Sequence, residues 1–432
     1  MTYDKKAYIY QEVEHWSVVL SQLDLKTDTP TYVLTEMIPR GKLHISNSEL
    51  FTGILYCFTE RLPSQKTDFD YKNSHMLTCL SVRTAFDLVL TSLNFPPGSE
   101  ILVTDINIPD MFNIMAAHDL VPIPLPVNKN TLSISPEQLE SAITSTTKAI
   151  LITHLFGAIM ETDDVNVIAR KHNLLVLEDC AQAYAGNVYQ GHPATDVTMF
   201  SFGLIKTNTA VRGAVVKIND PTLYADVLYR NEQYAKQRTR DFLNKLLKVL
   251  VIKLLTARIV YTGFYKLINA IGKDFEQVLA GFTKGFPGDQ MLRQIRYRPS
   301  LANRKLLQKK IRSFKQDDID ARIQFANDIL QNIPDHYKIG TLTKRHTHWV
   351  LPVETQDPNG LINYLRINGF DASQKASSLI KQTASDYIPA QDDLILDNLV
   401  YLPVYPAMSA KDRNRLTQLL ISFQLKGHQS TD

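Results

Sequence analysis

Short hydrophobic runs alternate with segments of helical periodicity between residues 77 and 220. Four of these runs have the length and composition of strands, at 100–105, 121–127, 149–154 and 174–177. Four other segments have the apolar spacing of helices, at 81–95, 109–118, 136–143 and 163–172. This alternation is typical of a mostly parallel sheet with helices on both faces. The pattern therefore predicts an α/β fold.

Candidate chemistry concentrates in residues 174–220, which indicate strand, loop, strand, loop and strand. Glu178 and Asp179 end the first strand, Ser201 lies near the exit of the second, and Lys206 follows it. Ligands in open α/β sheets bind at the carboxyl ends of strands, so we expect these side chains to converge on one crevice. Each taken alone is more often a surface residue, but their order and placement favour a site.

An amine, a carboxylate and a hydroxyl at neighbouring strand ends suit pyridoxal phosphate. The amine bonds to the cofactor aldehyde, and the carboxylate keeps the pyridine nitrogen protonated so that the ring accepts electrons. Hydroxyl groups and backbone amides at a helix start hold the phosphate.

Two segments, LEDCAQAYAG and MFSFGLIKTNTAVRGAVV, resemble the signature of the DegT/DnrJ/StrS-type sugar aminotransferases, which are pyridoxal phosphate enzymes of fold type I. By position, the resemblance implies that Lys206 bonds to the cofactor and moves protons, and that Asp179 pairs with the pyridine nitrogen. It places Gln182 beside the ring hydroxyl and Ser201 at the phosphate. It also implies a homodimer that transfers an amino group, with glutamate as donor, to a keto-sugar that is nucleotide-linked.

The chain departs from the family at the start of the helix predicted over 81–95. Thr84 matches a threonine whose amide cradles the phosphate, whereas Arg83 replaces the preceding glycine. An arginine either adds a contact to the phosphate or blocks the close approach that glycine allows, and we favour the contact. The family's aromatic stacking residue is missing from 106–108, which leaves aliphatic stacking or Phe112.

The resemblance extends from about residue 77 to the end of the chain, with a poorly matching middle. It implies an amino-terminal arm (1–75), a large cofactor-binding domain (76–235), an insertion (236–295) and a small carboxy-terminal α/β domain (296–432). Arg296 in QIRYRPS occupies the place of an asparagine that reaches the partner's cofactor phosphate across the dimer interface. A guanidinium can make that contact, and a solvated basic cluster is the alternative.

Composition narrows the class of protein further. A chain of 432 residues has room for two domains and a large core. Its net charge of +3 is too mild to indicate nucleic-acid binding. Its three cysteines lack metal-site spacing and suit a reducing compartment, and the amino terminus lacks the apolar core of a signal peptide. We therefore expect a cytoplasmic protein without a metal.

The segment 239–273 is apolar, but Lys245, Lys248, Lys253, Arg258 and Lys266 are scattered through it, and no uncharged window approaches the ~18 residues of a membrane span. At helical spacing the cations spread around the axis. Two interpretations stay open. One is an interfacial helix or helix pair that makes peripheral contact with an anionic bilayer. The other is a helical hairpin that covers the active site or a subunit contact.

Three functions are compatible with these motifs. The first is the aminotransferase. The second is a noncatalytic descendant that binds the cofactor or a sugar for regulation or assembly, which the departures at Arg83 and 106–108 favour and the joint presence of Asp179, Ser201 and Lys206 opposes. The third is an elimination or dehydration enzyme of the same fold. Some relatives of that kind have histidine in place of the lysine, so Lys206 argues against it.

Overall fold

A seven-stranded sheet forms the centre of the computed structural model, which describes residues 36–59, 75–276, 278–279, 290–374, 378–383 and 389–428. The described strands are β1 Met76–Cys79, β2 Glu100–Thr104, β3 Ile106–Asn107, β4 Val121–Leu125, β5 Thr147–Thr153, β6 Leu175–Asp179, β7 Val197–Ser201, β8 Ala214–Ile218, β9 Leu351–Glu354, β10 Ile380–Lys381 and β11 Leu399–Leu402. The strand order is β1-β8-β7-β6-β5-β2-β4, and only β8 runs antiparallel to its neighbours within this sheet. The predicted mostly parallel α/β fold is confirmed.

Helices cover this sheet and build the carboxy-terminal part of the chain. They are α1 Asn47–Phe58, α2 Val82–Leu93, α3 Pro109–Ala117, α4 Pro136–Ser141, α5 Asp163–Lys171, α6 Pro221–Gln233, α7 Thr239–Leu255, α8 Arg258–Ala270, α9 Met291–Ile295, α10 Leu301–Arg312, α11 Asp317–Leu330, α12 Pro358–Ile367 and α13 Ala410–His428. Two short 3-10 helices lie at Asp335–Tyr337 and Leu396–Asn398.

Local signals explain where α2 begins and ends. The Ser81 hydroxyl accepts a hydrogen bond from the Thr84 amide at 3.2 Å, which satisfies a donor that the first helical turn leaves unpaired. Asn94 ends the helix in the left-handed conformation, with φ of 45°. The Ser81 cap fixes the start of α2 two residues after β1 ends, and Asn94 fixes its end.

Alternate residues of the strands are buried on opposite faces of the sheet, each against a different layer of helices. Ala149 and Leu151 of β5 belong to a core with α2, α3 and α6, whereas Ile150 and Ile152 belong to a second core with α5. A third core lies under α1, α7 and α10. Burial on both faces explains why these strands are almost continuously apolar in the sequence.

The segment 239–273 contains two helices, α7 and α8, which is compatible with both interpretations of this segment. Helix α7 packs on α1 and α10. Among the helices that the structure describes, none combines the length and the apolar character needed to cross a membrane.

The carboxy-terminal residues form their own apolar cluster, in which β9 and β11 pair antiparallel and α11, α12 and α13 contribute side chains. The predicted division of the chain into an arm, two domains and an insertion stays a prediction.

Candidate active site

The carboxyl ends of β5, β6 and β7 bring the predicted site residues to one edge of the sheet. The strands are parallel, with Thr153 opposite Asp179 and Asp179 opposite Met199. The last residues of β5 and β6, Thr153 and Asp179, therefore lie side by side, and His154 follows directly after β5. Ser201 ends the next strand, and Lys206 lies in the following turn, where its amide donates to the Gly203 carbonyl at 3.1 Å.

Asp179 is a buried carboxylate, with 3% of its surface exposed. Its Oδ1 atom accepts a hydrogen bond from the Ala181 amide at 2.9 Å. Burial raises the pKa of this carboxyl group above its ordinary value, while the Ala181 amide and the positive charge of Lys206 act in the opposite direction. The carboxylate therefore lies where a further cationic partner would be stabilised.

The Lys206 ammonium group is destabilised by its surroundings. Burial lowers its pKa from the ordinary value to about 8, with the negative charge of Asp179 opposing this shift and the positive charge of Arg83 adding to it. These interactions place Arg83, Asp179 and Lys206 within one electrostatic group. The guanidinium of Arg83 also forms an ion pair with Asp110 of α3.

Trp349 covers the Lys206 amine and is a site residue that the sequence analysis missed. The Nζ atom of Lys206 lies 4.2 Å from the centroid of the Trp349 ring, within the range of a cation–π contact. The indole Nε1 donates to the Ile205 carbonyl at 3.0 Å, which fixes the ring beside the lysine turn. A tryptophan directly after the His-rich run RHTH was the available signal.

Arg322 is a second residue that the sequence analysis missed. It connects the turn that carries Lys206 to the segment that carries Trp349. Its Nη1 atom donates to the Thr207 hydroxyl at 3.0 Å, and its Nε atom donates to the Thr347 carbonyl at 2.7 Å. Burial lowers the pKa of the guanidinium to about 10. Arg322 thus holds the residue after Lys206 close to the segment that carries Trp349.

Ser201 lies beside the lysine turn. Its hydroxyl accepts a hydrogen bond from the Gly203 amide at 3.4 Å. A Cβ atom built on Gly203 would lie 3.5 Å from Ser201 Oγ and 3.8 Å from Lys206 Cγ. The two predicted residues therefore flank the same short turn.

Gln182 positions the loop after β5. Its Oε1 atom accepts a hydrogen bond from the Phe156 amide at 2.9 Å. Phe156 and Gly157 both have positive φ, 58° and 104°, so this loop turns sharply. The predicted contact between Gln182 and a cofactor hydroxyl stays a prediction.

Glu178 faces away from the Asp179 side chain, because neighbouring strand residues point to opposite sides of a sheet. Its carboxylate accepts hydrogen bonds from the hydroxyl groups of Tyr189 at 2.6 Å and Thr195 at 2.5 Å, and these contribute to a pKa lowered to about 2. His154 accepts from the Met160 amide through Nδ1, so Nε2 carries the proton and donates to Glu178 at 3.2 Å.

Cys180 completes a buried trio with His154 and Glu178, whose ligand atoms lie within 4.8 Å of one another. Burial raises the pKa of the Cys180 thiol well above its ordinary value, so the sulfur is held in the thiol form. The His154 ring donates to the Glu178 carboxylate through Nε2 and accepts through Nδ1. This arrangement fits a hydrogen-bonded network that supports the ends of β5 and β6.

Thr84 and Arg296, two predicted phosphate ligands, have other partners in this structure. The Thr84 hydroxyl donates to the Ile295 carbonyl at 2.8 Å. Arg296 donates to both oxygens of Asp87 at 2.9 Å, and its cation helps to lower the pKa of Asp87 to about 2. Their predicted contacts with phosphate stay predictions.

The loop that lacks the family's aromatic residue is anchored through Asn107. Its Nδ2 atom donates to the Thr153 hydroxyl at 2.7 Å, and its Oδ1 atom accepts from the Ile108 amide. Ile106 is fully buried in one core, and Phe112 is buried in another. An aromatic residue elsewhere in the chain, Trp349, contacts Lys206.

Comparison with known proteins finds three levels of similarity. Residues 65–250 match the family described as the DegT/DnrJ/EryC1/StrS aminotransferase family. GDP-perosamine synthase of Caulobacter vibrioides is 33% identical over 154 residues, which cover 35% of this chain and 41% of that protein. The chain thus aligns with about two fifths of the length of this relative.

Solved structures resemble the chain over most of its length. The sugar aminotransferase CalS13 from Micromonospora echinospora has a TM-score of 0.63 at 19% identity, covering 89% of this chain and 100% of that chain. NtdA from Bacillus subtilis, solved with bound cofactor PMP, has a TM-score of 0.61 at 19% identity, covering 95% and 91%. At these identities the likeness concerns the fold, and it confirms the predicted fold type.

Proposed function

We propose that this chain is a pyridoxal-phosphate-dependent aminotransferase, because its residues 65–250 match the DegT/DnrJ/EryC1/StrS aminotransferase family. The observation that carries the proposal is the Lys206 amine, whose pKa is lowered to about 8 beside the buried carboxylate of Asp179. A lysine of lowered pKa next to a buried acid is the arrangement that covalent amine chemistry requires.

The donor set fits pyridoxal phosphate. Burial of the Asp179 carboxylate is unfavourable, and a protonated pyridine nitrogen would offset that cost. Lys206 would bond to the cofactor aldehyde, Gln182 would lie beside the ring hydroxyl, and Ser201 with Arg83 would hold the phosphate. When bound, the cofactor supplies a ring that accepts electrons from a substrate carbon that loses its proton.

The lowered pKa gives Lys206 two capabilities. With a pKa of about 8, about a tenth of the amines are neutral at pH 7, against fewer than about one in a thousand for a lysine with the ordinary pKa of ~10.4. A neutral amine is a nucleophile, and it also accepts a proton at Nζ and returns it to a neighbouring carbon. Lys206 is thus the proposed catalytic residue.

Neighbouring residues set the position of that amine. Trp349 lies against Nζ and excludes water from one side of it. Arg322 holds Thr207 and Thr347 together, so the turn that carries Lys206 and the segment that carries Trp349 keep their spacing. We assign both as positioning residues.

The proposed substrates are a keto-sugar linked to a nucleotide, as acceptor, and glutamate, as donor. The sugar-nucleotide class is supported by the similarity to GDP-perosamine synthase, and the donor is implied by the family resemblance. A homodimer is implied in the same way. Incubation of the purified protein with a panel of nucleotide-linked keto-sugars and glutamate, followed by mass spectrometry of the amino-sugar, tests both substrates. Sedimentation velocity tests the dimer.

Absorbance and covalent trapping test the catalytic assignment. Protein loaded with pyridoxal phosphate should show the absorbance of a lysine-bound cofactor and should change to the aminated form when glutamate is added. Borohydride reduction and peptide mapping should label Lys206. Lys206→Ala and Lys206→Arg should abolish both signals, while Lys344→Ala, at a side chain that is 75% exposed, should keep them. Labelling of another lysine, or turnover by Lys206→Ala, would contradict the assignment. Cofactor bound at Lys206 without any response to glutamate would favour the noncatalytic function.

A further inference from the structure

Helices α1 and α7 together expose an apolar surface, which we call the apolar ridge. On α1 its side chains are Phe51, Leu55 and Phe58, which are 63%, 57% and 71% exposed. On α7 they are Leu247, Val251 and Leu254, which are 46%, 53% and 64% exposed. Each set has the spacing i, i+4, i+7, so each forms one stripe along its helix.

The two stripes belong to one surface because the helices pack side by side. A Cβ atom built on Gly53 of α1 would lie 3.1 Å from Leu246 of α7. Lys253, near the end of α7, donates to the Ile45 carbonyl just before α1 begins. The helices therefore run antiparallel, and Leu50 and Leu246 bury the inner side while the stripes face outward.

A basic concavity borders the ridge where α1 contacts α10. It has a volume of about 470 Å³ and is lined by Tyr56, Lys305, Gln308, Lys309, Arg312 and Ser313. Its wall is built, since Lys309 Nζ donates to the Thr52 hydroxyl of α1 at 2.9 Å. Lys305 Nζ lies 5.8 Å from the centroid of the Tyr56 ring. Contacts with α1 thus hold Lys305 and Lys309 at the edge of the ridge, and Arg312 lines the same concavity.

Charge is distributed unevenly between this surface and the rest of the chain. By their sequences, α10 carries a formal charge of +5, α7 carries +3 and α1 carries −1, which together give +7. The whole chain carries +3, so the remaining residues carry −4. The apolar ridge lies in the basic part of an otherwise acidic chain.

We propose that the ridge docks this protein on an anionic lipid bilayer, with lipid phosphates bound by Lys305, Lys309 and Arg312. An apolar stripe bordered by cations is the pattern of an interfacial surface, because apolar side chains enter the headgroup boundary while cations meet the negative leaflet. A second copy of the chain is the weaker occupant. Two-fold self-association would bring two surfaces built from net positively charged helices together.

Flotation with lipid vesicles tests this proposal on the full-length protein. Vesicles of phosphatidylcholine alone are compared with vesicles that also contain phosphatidylglycerol. The basic variant carries three substitutions, Lys305→Gln, Lys309→Gln and Arg312→Gln. The apolar variant carries three others, Phe51→Gln, Leu55→Gln and Val251→Gln. Control variants change exposed residues elsewhere. Lys171→Gln with Lys344→Gln removes two charges, and Val167→Gln with Leu342→Gln and Ile367→Gln replaces three apolar side chains.

We expect the unmodified protein to float with the anionic vesicles and to stay below the neutral ones. The basic variant should bind the anionic vesicles on the order of a hundredfold more weakly, because each of the three surface cations contributes about a factor of five. The apolar variant should lose about tenfold or more, since binding scales with inserted apolar area. Both control variants should float like the unmodified protein. Circular dichroism verifies that every variant is folded.

Three results would overturn the proposal. One is that the protein floats with neither kind of vesicle. Another is equal binding to neutral and anionic vesicles that the basic variant does not change. The third combines two observations: the unmodified protein binds no vesicles, and the apolar variant loses self-association in sedimentation equilibrium. That result would make the ridge an interface between copies of the chain. None of these measurements depends on aminotransferase activity, so the proposed function is tested separately.

Discussion

Two single substitutions should move the pKa of Lys206 in opposite directions. Asp179→Asn removes the negative charge that raises this pKa, and Arg83→Gln removes a positive charge that lowers it. The first variant should therefore lower the pKa of Lys206 below about 8, and the second should raise it. Asp179→Asn keeps the shape of the side chain and Arg83→Gln keeps a polar side chain, so the opposite signs of the two changes report charge.

The size of each change follows from the environment of the amine. The ordinary pKa of lysine is ~10.4, so protonation of Lys206 at a pKa of about 8 is about 3 kcal/mol less favourable than in water. A nearby charge changes a pKa by about 1 to 3. The charge of Asp179 has a larger influence than that of Arg83. We therefore expect Asp179→Asn to lower the pKa by about 1 to 2 and Arg83→Gln to raise it by about 1.

Competitive acetylation with acetic anhydride measures this pKa at a single residue. The cofactor-free protein is labelled at a series of pH values, and peptide mass spectrometry gives the labelled fraction of Lys206. Lys344, which is 75% exposed, serves as the internal reference. A midpoint near 10 in the unmodified protein, or midpoints that move in the same direction in both variants, would refute the electrostatic account of the site.

Three further substitutions test stability by urea unfolding. Lys206→Met should stabilise the cofactor-free protein by up to about 3 kcal/mol at pH 7, and this gain should disappear as pH rises from about 8 to ~10.4, where the folded wild type loses its buried proton first. Glu178→Gln should destabilise the protein by about 3 kcal/mol at pH 7. This loss of stability should shrink as pH falls from ~4.3 toward 2, because the folded carboxyl group has a pKa of about 2. A loss that does not depend on pH would contradict the prediction. Gly157→Ala should destabilise the protein far more than Gly98→Ala and should weaken cofactor binding. Both glycines have positive φ, but only a Cβ atom at Gly157 would lie 2.5 Å from the Trp349 amide nitrogen. Equal losses of stability in the two variants would contradict the packing argument.

The sequence predicted the parts of the site that depend on local order. Asp179 and Ser201 end strands whose aliphatic runs are legible without any tertiary information. Because parallel strands end at one edge, the meeting of these residues with the Lys206 turn followed from the strand assignment alone. The apolar runs located these strands because each is buried on both faces.

Tertiary contacts supplied what local order could not. Trp349 and its partner Ile205 are 144 positions apart, and their contact depends on the close approach of the Trp349 backbone to Gly157. No periodicity reports such an approach. The partners of Thr84 and Arg296 are of the same kind, since Ile295 and Asp87 are 211 and 209 positions away from them. A resemblance gives such side chains a role but not the hydrogen bonds that compete for them.

The apolar ridge shows why the residue pattern of one helix does not predict the charge and apolar area of the folded surface. The cations of α7 spread around the axis of this helix, which argues against an interfacial helix when only α7 is considered. In the folded chain Lys253 turns inward to the Ile45 carbonyl, while the cations that border the ridge come from α10, beyond that segment. Three of the six exposed apolar side chains of the ridge come from α1. A membrane senses the charge and apolar area of the assembled surface, so the relevant pattern is the sum over three packed helices.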